Sequence, residues 1–322
     1  MKVIAHDRYG SADELEWREA PDPTPGPGQV VLDVHAASVN PLDVHMMTGT
    51  PMLVRLGAGL RRPKLTVRGA DVAGVVTAVA DDVTDLAVGD RVFGMARGSF
   101  AERAVASAGA LAPMPDAMSF GEAAALPVAA VTALQGLRDH ARVPAGGSVL
   151  IIGAAGGVGT FAVQLAVAMG LEVTGVCSAR NVEMVRELGA ARVIDYTSEA
   201  VVDGTRYDAI VDNIGSQSIG DMKRSLVDGG AFVIVSGKKG RFIRPVDRVV
   251  GATLRFALGS KRAESFTAKE TRDELQELLG YVERGELRPV IDRRYALADA
   301  AEAVRYVMTG HARGKVLIDV VA

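Results

Sequence analysis

Between an apolar run, Ser148-Val149-Leu150-Ile151-Ile152, and a helix-forming stretch from Val158 to Met169, the chain reads Gly153-Ala154-Ala155-Gly156-Gly157-Val158-Gly159. Aligned on its last glycine, this is an A-x-G-x-x-G hexad. Gly156 lets backbone approach a pyrophosphate, and Gly159 lets a helix pack closely on a strand. The helix that opens here brings free N–H groups and a partial positive charge to the same point. Ala155, Gly156, Gly157, Val158 and Gly159 are therefore candidate dinucleotide-binding residues, with Ala154 standing where a tight-turn glycine is usual. Alone such a hexad is a weak signal; between a strand and a helix it is a strong one.

The dinucleotide is chosen about twenty residues further on, where an NAD site places Asp or Glu for the ribose hydroxyls. Here the chain reads Cys177-Ser178-Ala179-Arg180-Asn181, with no carboxylate. A hydroxyl and a guanidinium instead suit a 2′-phosphate, which arginine binds in a fork. The expected cofactor is NADPH, held by Ser178, Arg180 and Asn181. Tyr196, after the next strand, is placed either against the phosphate or adenine or in the core. Asn213 ends the fourth strand of this unit, and Ser236 and Gly237 the fifth. That is the carboxyl edge where doubly wound sheets bind ligands.

The elements that position these residues fall into two parts. Val3-Ile4-Ala5, Gln29 to His35, Val72 to Val79 and Asp90 to Gly94 read as short strands punctuated by Gly and Pro, predicting a compact, barrel-like β domain. Ser119 with Glu122 has the spacing of a capping box and marks the change of character. Beyond it, apolar strands (148–152, 172–176, 192–195, 207–212, 231–235) alternate with helices (158–169, 181–188, 221–227). That alternation predicts a doubly wound parallel sheet. Residues 241–266 fit neither pattern and read as a loop-and-helix insertion. A helix with Leu275, Leu278 and Leu279 on one face follows, and the tail 316–320 is strand-like again.

Composition excludes other classes. The 322 residues are 48% hydrophobic and 23% charged, and 36 Lys and Arg against 39 Asp and Glu leave a net charge of −3. No global field draws such a chain to nucleic acid. One cysteine builds neither a disulfide nor a cysteine zinc site, and suits a reducing, cytoplasmic setting. Charge returns too early at the N-terminus for a secretory signal. Residues 143–171 are uncharged for a length that would span a membrane, yet four glycines in the seven residues 153–159 break that helix. The five histidines share no metal-ligand spacing, and nothing supports a hydrolase.

Several motifs in order carry a resemblance: Asn40-Pro41-x-Asp43, Gly69-x-Asp71-x-Ala73-Gly74, Val88-Gly89-Asp90-Arg91-Val92, Ala124-Ala125-Leu126-Pro127 through Thr132-Ala133, the Gly-rich turn, and Gly310-His311-Ala312-Arg313-Gly314-Lys315. Together they resemble the medium-chain dehydrogenase/reductase superfamily and, within it, the zinc-independent quinone oxidoreductases. The resemblance implies a GroES-like β domain at 1–121 and 293–322, and a Rossmann doubly wound parallel-sheet domain at 122–292. Where zinc-dependent relatives place a Cys, a His and a second Cys, this chain has Asn40, Ala70 and Val128, none with the thiolate or imidazole that zinc prefers. No metal is expected.

Without a Lewis acid, oxidising an unactivated alcohol is difficult, whereas an electron-poor quinone or enone needs only a hydride and a hydrogen-bond donor for the oxyanion that develops. The resemblance places the acceptor near Asn40, Thr132 beside the nicotinamide, and Gly314 and Lys315 at the nicotinamide end, with a simply solvated Lys315 as the alternative. Asp43 orients the Asn40 loop rather than acting as a base. His45 sits where a proton-relay histidine would stand, or is a partly buried structural residue. The expectation is an NADPH-dependent quinone or enone reductase, a homodimer paired through the strand 231–235, with no membrane partner. An NADPH-binding sensor with little turnover and a zinc-type alcohol dehydrogenase are the alternatives.

Overall fold

The computed structural model describes residues 1–236 and 246–321. Two compact units are present: residues 1–131, 269–279 and 289–322 form the first, and residues 132–268 and 280–288 the second.

The first unit is organised by one long strand. Gln29–Val39 alternates valine and leucine with polar residues, and its inward side chains Val30, Leu32 and Val34 are fully buried. It pairs antiparallel along most of its length with Asp71–Val79, and two register shifts bend it. Its first half also pairs with Arg103–Ser107 and its second half with Lys315–Asp319, so both flanks of the strand are occupied. The seven-stranded sheet is completed by Arg91–Met95, Leu111–Pro113 and Ile291–Ala296. One apolar cluster, with Leu32, Val72, Val76, Val92 and Leu111, fills one side of it. A second, with Val39, Met47, Phe100, Val304 and Ile318, fills the other. Each such side chain contributes about 1.5–3 kcal/mol on burial.

The second unit has six parallel strands in the order Arg192–Asp195, Glu172–Cys177, Ser148–Ile152, Tyr207–Asp212, Leu226–Ile234, Arg262–Ser265. Counted along the chain this is 3-2-1-4-5-6, the Rossmann arrangement, with the chain reversing direction across the sheet beside Ser148–Ile152. Leu150, Ile152, Val176, Ile194, Ile210 and Phe232 are buried because helices cover both faces. The fold is thus a GroES-like β unit with a Rossmann doubly wound unit.

Four expectations need correction. The helix read at 221–227 is Ile219–Arg224, since Ser218 caps it and Leu226 already opens the next strand. The strand read at 231–235 begins at Leu226 and is interior: Arg262–Ser265 pairs along its outer side, so it offers no edge for a two-fold partner. Within 241–266, residues 241–245 lie outside the described residues, and the rest is a helix, Val246–Phe256, followed by that sixth strand. Its sequence, Arg-Ala-Glu-Ser, hides the strand period under the charges that exposed edges carry. Finally, Asn40 is not in a loop but is the N-cap of a helix, Pro41–Thr48, with Pro41 at the position where its missing N–H costs nothing.

Candidate functional site

In the second unit, strand Ser148–Ile152 hands over to helix Gly157–Ala168 through a turn that only glycine builds. Gly153 has φ +80°, and Gly153 and Ala154 both donate to Val176 O, at 3.1 and 3.0 Å, tying the turn to the neighbouring strand. The left-handed residue is therefore Gly153, which takes over from the turn glycine that Ala154 had seemed to replace. A Cβ on Gly159 would lie 2.0 Å from Gly153 O, so the helix packs on the turn only because Gly159 has none. Gly156 differs: a Cβ there would meet nothing closer than 3.5 Å. Among the described residues, side-chain packing does not require that glycine.

Gly156 is the N-cap and supplies no side-chain cap, and the first turn holds no carboxylate. The first N–H groups of such a helix have no intrahelical partner. The carboxyl edge around it carries further unspent hydrogen-bonding capacity. Asn213 donates from Nδ2 to Ile152 O at 3.0 Å, and its buried Oδ1 has no partner among the described residues. Asn181 donates to Ser178 Oγ at 3.2 Å, and its buried Oδ1 likewise has none among them. Arg180 is exposed in the short 3-10 turn Ala179–Asn181. Tyr196 is 55% exposed while its N–H is held by Cys177 O, which removes the core alternative for its ring. Asp195, in register with Cys177, is occupied by Thr197 and Ser198, and these hydrogen bonds hold its pKa below the ordinary value. Ser236 donates from its N–H to Asp212 O at 3.3 Å, and Gly237 lies outside the described residues.

A pair that sequence reading missed braces this edge. Asp212, fully buried, accepts from Ile214 N at 3.1 Å, from Gly215 N at 2.7 Å and from Arg248 Nη2 at 2.6 Å. Arg248 comes from the helix Val246–Phe256, so the segment without a legible pattern anchors the loop after the fourth strand. Cys177 is buried and its thiol is pushed up to about 11 by burial, which makes it a packing residue rather than a nucleophile.

In the first unit four polar side chains meet in the interior. Asp71, Asn40 and Lys315 are 0%, 2% and 2% exposed. Asp71 Oδ2 accepts from Ser38 Oγ at 2.5 Å, from Asn40 Nδ2 at 2.8 Å and from Lys315 Nζ at 3.2 Å, while Oδ1 accepts from Val128 N at 2.9 Å. Lys315 Nζ also donates to Asn40 Oδ1 at 2.6 Å. The orientation of the carboxamide follows from chemistry: an ammonium only donates and a carboxylate only accepts, so oxygen must face Lys315 and nitrogen Asp71. One hydrogen of Asn40 Nδ2 is thereby used, and the other has no acceptor among the described residues. Lys315 is therefore neither solvated nor a surface group; it is the cation that neutralises Asp71 and aims Asn40.

Asp43 holds the same segment from the other side, accepting from Asn40 N at 2.8 Å. Its burial pushes the carboxyl up to about 7. Glu270, in the same unit, is also raised to about 7, first by burial and further by the charge of Asp71. His45 Nδ1 lies 2.7 Å from Thr50 O, a contact that closes the helix end and gives the ring a structural role. Gly314, with φ +90°, approaches Val290 O so closely that a Cβ would clash at 2.2 Å; it positions the strand that carries Lys315. Thr132 is half-buried on the helix Pro127–Gln135 in the second unit. Asp71 lay within a quoted motif and was given no role; its Gly-x-Asp setting was the available signal.

The three positions that the resemblance aligns with zinc ligands lie at or beside this cluster. Asn40 contributes its carboxamide, Ala70 is followed by the Asp71 carboxylate, and Val128 contributes backbone N–H. Among the described residues no group of three His, Cys, Asp or Glu side chains is placed to hold a metal ion.

The family described as "Alcohol dehydrogenase GroES-like domain" matches residues 26–116, and the one described as "Zinc-binding dehydrogenase" matches residues 188–318. A chloroplast envelope quinone oxidoreductase homolog of Arabidopsis thaliana is 31% identical over 99% of this chain and 98% of its own. The chain belongs to the quinone oxidoreductase-like branch of the medium-chain dehydrogenase/reductase superfamily. The quinone oxidoreductase structure from Coxiella burnetii superposes with a TM-score of 0.87 at 32% identity, covering 100% of this chain and 99% of that one. A mycobacterial relative solved with NADPH superposes with a TM-score of 0.84 at 26% identity, covering 99% and 100%.

Proposed function

We propose that this oxidoreductase uses NADPH to reduce a quinone or an α,β-unsaturated carbonyl, without a metal ion. The observation that carries the proposal is the Asn40–Asp71–Lys315 cluster. An ammonium bonded to both Asn40 and Asp71 already neutralises Asp71, and a divalent cation beside it would meet charge of its own sign. Asn40 offers amide oxygen in place of thiolate, and that oxygen is committed to Lys315. In exchange the cluster presents a fixed N–H donor, the arrangement that stabilises an oxyanion as it forms.

The second unit's residues fit a phosphorylated dinucleotide. The bare backbone at Gly156 and the free N–H groups of helix Gly157–Ala168 would take the pyrophosphate. Arg180, with Ser178, would take the 2′-phosphate, and Asn213 has a buried oxygen to offer. No carboxylate at the end of strand Glu172–Cys177 competes for that phosphate, and the Asp195 oxygens are already bonded within their own turn. When bound, the reduced nicotinamide supplies the hydride. This chain's own part is to hold the acceptor oxygen against Asn40 and to keep the Asn40 amide from rotating, through Lys315 on one side and Asp71 on the other. Asp43 fixes the backbone of the same residue.

The same reading expects a homodimer, for which strand Arg262–Ser265 is the outer edge of the sheet among the described residues, in a cytoplasmic setting. The test is loss of nicotinamide absorbance with a panel of benzoquinones, naphthoquinones and enones, comparing NADPH with NADH. Turnover with NADPH supports the proposal. Tight NADPH binding with silence across the panel would leave a binding protein, and turnover of alcohols only with added zinc would leave a dehydrogenase.

A further inference from the structure

At the amino edge of the Rossmann sheet, opposite the cofactor turn, five cations border one pocket of about 610 Å³: Arg206, Lys223, Arg224, Arg255 and Lys261. They come from the segment before strand Tyr207–Asp212, from the ends of two helices and from the approach to strand Arg262–Ser265. Helix ends explain part of this. Lys223 Nζ donates to Arg255 O and Leu258 O, and Lys261 Nζ to Lys223 O at 2.9 Å, placing ammonium groups on carbonyls that a helix leaves unpaired. It does not explain the arginines. A Cβ on Gly220 would lie 3.5 Å from Arg255 Nη1 and 3.6 Å from Arg224 Nη1, so two guanidinium groups meet over one bare glycine. Asp221 pairs with Arg224 and is the carboxylate closest in sequence; Arg206 is exposed.

The helix that supplies Arg255 is unusual on its outer side. Its inner face is ordinary: Ala252 and Phe256 are 0% and 5% exposed, packed on the sheet. Outward, Val250, Leu254 and Leu258 recur every four residues and are 52%, 72% and 85% exposed. That spacing places Val250 and Leu254 on one ridge of the helix, and Leu258 follows two residues beyond the helix end at Phe256. Leu258 gives its carbonyl to the pocket lysine Lys223, so ridge and pocket are continuous. Asp247 stands in the helix's first turn, at the end away from the cations.

We infer that this face docks on the surface of an anionic phospholipid bilayer, with headgroup phosphates in the cationic pocket and the Val250–Leu254–Leu258 ridge at the acyl boundary. An apolar ridge bordered by Lys and Arg is the pattern of helices that lie in a membrane interface. Charge decides between occupants. A second copy seated pocket to pocket would bring like charges together, whereas an anionic surface is complementary to them; the homodimer proposed above pairs strand edges and not these pockets. The inference concerns lying on a bilayer and not crossing one; no described helix is long and apolar enough to cross. It does not depend on the proposed reaction, because the binding is read without cofactor or acceptor.

The test is sedimentation of the full chain with vesicles of phosphatidylcholine alone and of equal parts phosphatidylcholine and phosphatidylglycerol. The expected result is binding to the anionic vesicles at least about tenfold tighter, weakened by salt, since basic residues near such a surface are attracted to it through a field that salt screens. Leu254→Asp with Leu258→Asp, and separately Arg224→Glu with Arg255→Glu, should each abolish it while NADPH affinity and melting temperature stay unchanged. Three results would overturn the inference: no selectivity for anionic vesicles; vesicle binding untouched by both pairs of substitutions; or a dimer in light scattering that the leucine pair dissolves without any vesicle binding to lose. Inorganic pyrophosphate bound at the arginine pair, with vesicles ignored, would assign the pocket to a small phosphate ligand instead.

Discussion

Lys315 Nζ lies 2.6 Å from Asn40 Oδ1, across 275 residues of sequence, so the last strand of the chain sets the orientation of a side chain at the first helix of the same unit. Lys315 is a positioning residue, and its partner Asp71 shares the burial. Removing one member of a buried pair costs about 3–5 kcal/mol because the other charge stays behind. Lys315→Met should therefore destabilise strongly and lower kcat, while Lys315→Met combined with Asp71→Leu should recover much of the stability and none of the kcat. A double variant as unstable as the single one in urea would contradict the pairing.

Two glycines of one turn should respond differently. Gly159→Ala drives a methyl against Gly153 O, 2.0 Å from its ideal position, and overpacking of this kind costs about 1–3 kcal/mol. Gly156→Ala meets only a 3.5 Å contact, so stability should change by less than about 0.5 kcal/mol. Its effect belongs to the ligand: NADPH should bind about tenfold more weakly or worse, a difference of about 1.4 kcal/mol. Calorimetric melting and titration on both variants separate the two roles.

Cofactor choice rests on the end of the second Rossmann strand. Arg180→Ala should weaken NADPH by about tenfold or more, the worth of a charge-assisted fork to a phosphate, and leave NADH unchanged. Equal losses for the two nucleotides would show that Arg180 holds something other than the 2′-phosphate.

Asp43 gives the protein a pH dependence of defined sign. Burial raises its carboxyl from 3.8 to about 7, so the fold favours the protonated form. Its share of stability is complete below the unfolded value and is lost as pH rises towards about 7, with a slope of at most about 1.4 kcal/mol per pH unit. Asp43→Asn keeps an acceptor for Asn40 N and should flatten that part of the curve. Glu270 titrates in the same range and keeps its own share, so the slope should fall rather than vanish. An unchanged slope in chemical denaturation at pH 4 to 7 would remove Asp43 from the account.

The Rossmann strands were legible because strands buried on both faces are continuous apolar runs; Arg192–Asp195 and Tyr207–Asp212 have the limits their sequence suggests. So was the capping box at Ser119 and Glu122, whose reciprocal bonds are local. What stayed hidden is non-local. The strand Arg262–Ser265 carries edge charges in place of a period, and Arg248 acquires meaning only beside Asp212, 36 residues away. Lys315 looked like a cofactor contact or a solvated charge because no pattern in one segment announces a partner at Asn40. Gly153 was passed over since the hexad was counted from its last glycine, while the backbone needed its positive φ one residue before Ala154.

The most direct measurement is transfer of deuterium from C4-labelled NADPH to the β-carbon of an enone that the panel shows to be turned over, where the label cannot exchange with water, by chelator-treated protein whose zinc content has been determined. The account predicts label in the reduced product at an undiminished rate, falling at least about tenfold in Asn40→Ala when one oxyanion donor is lost. Turnover that disappears with the metal and returns with zinc, or no labelled product from a chain that still binds NADPH, would contradict it.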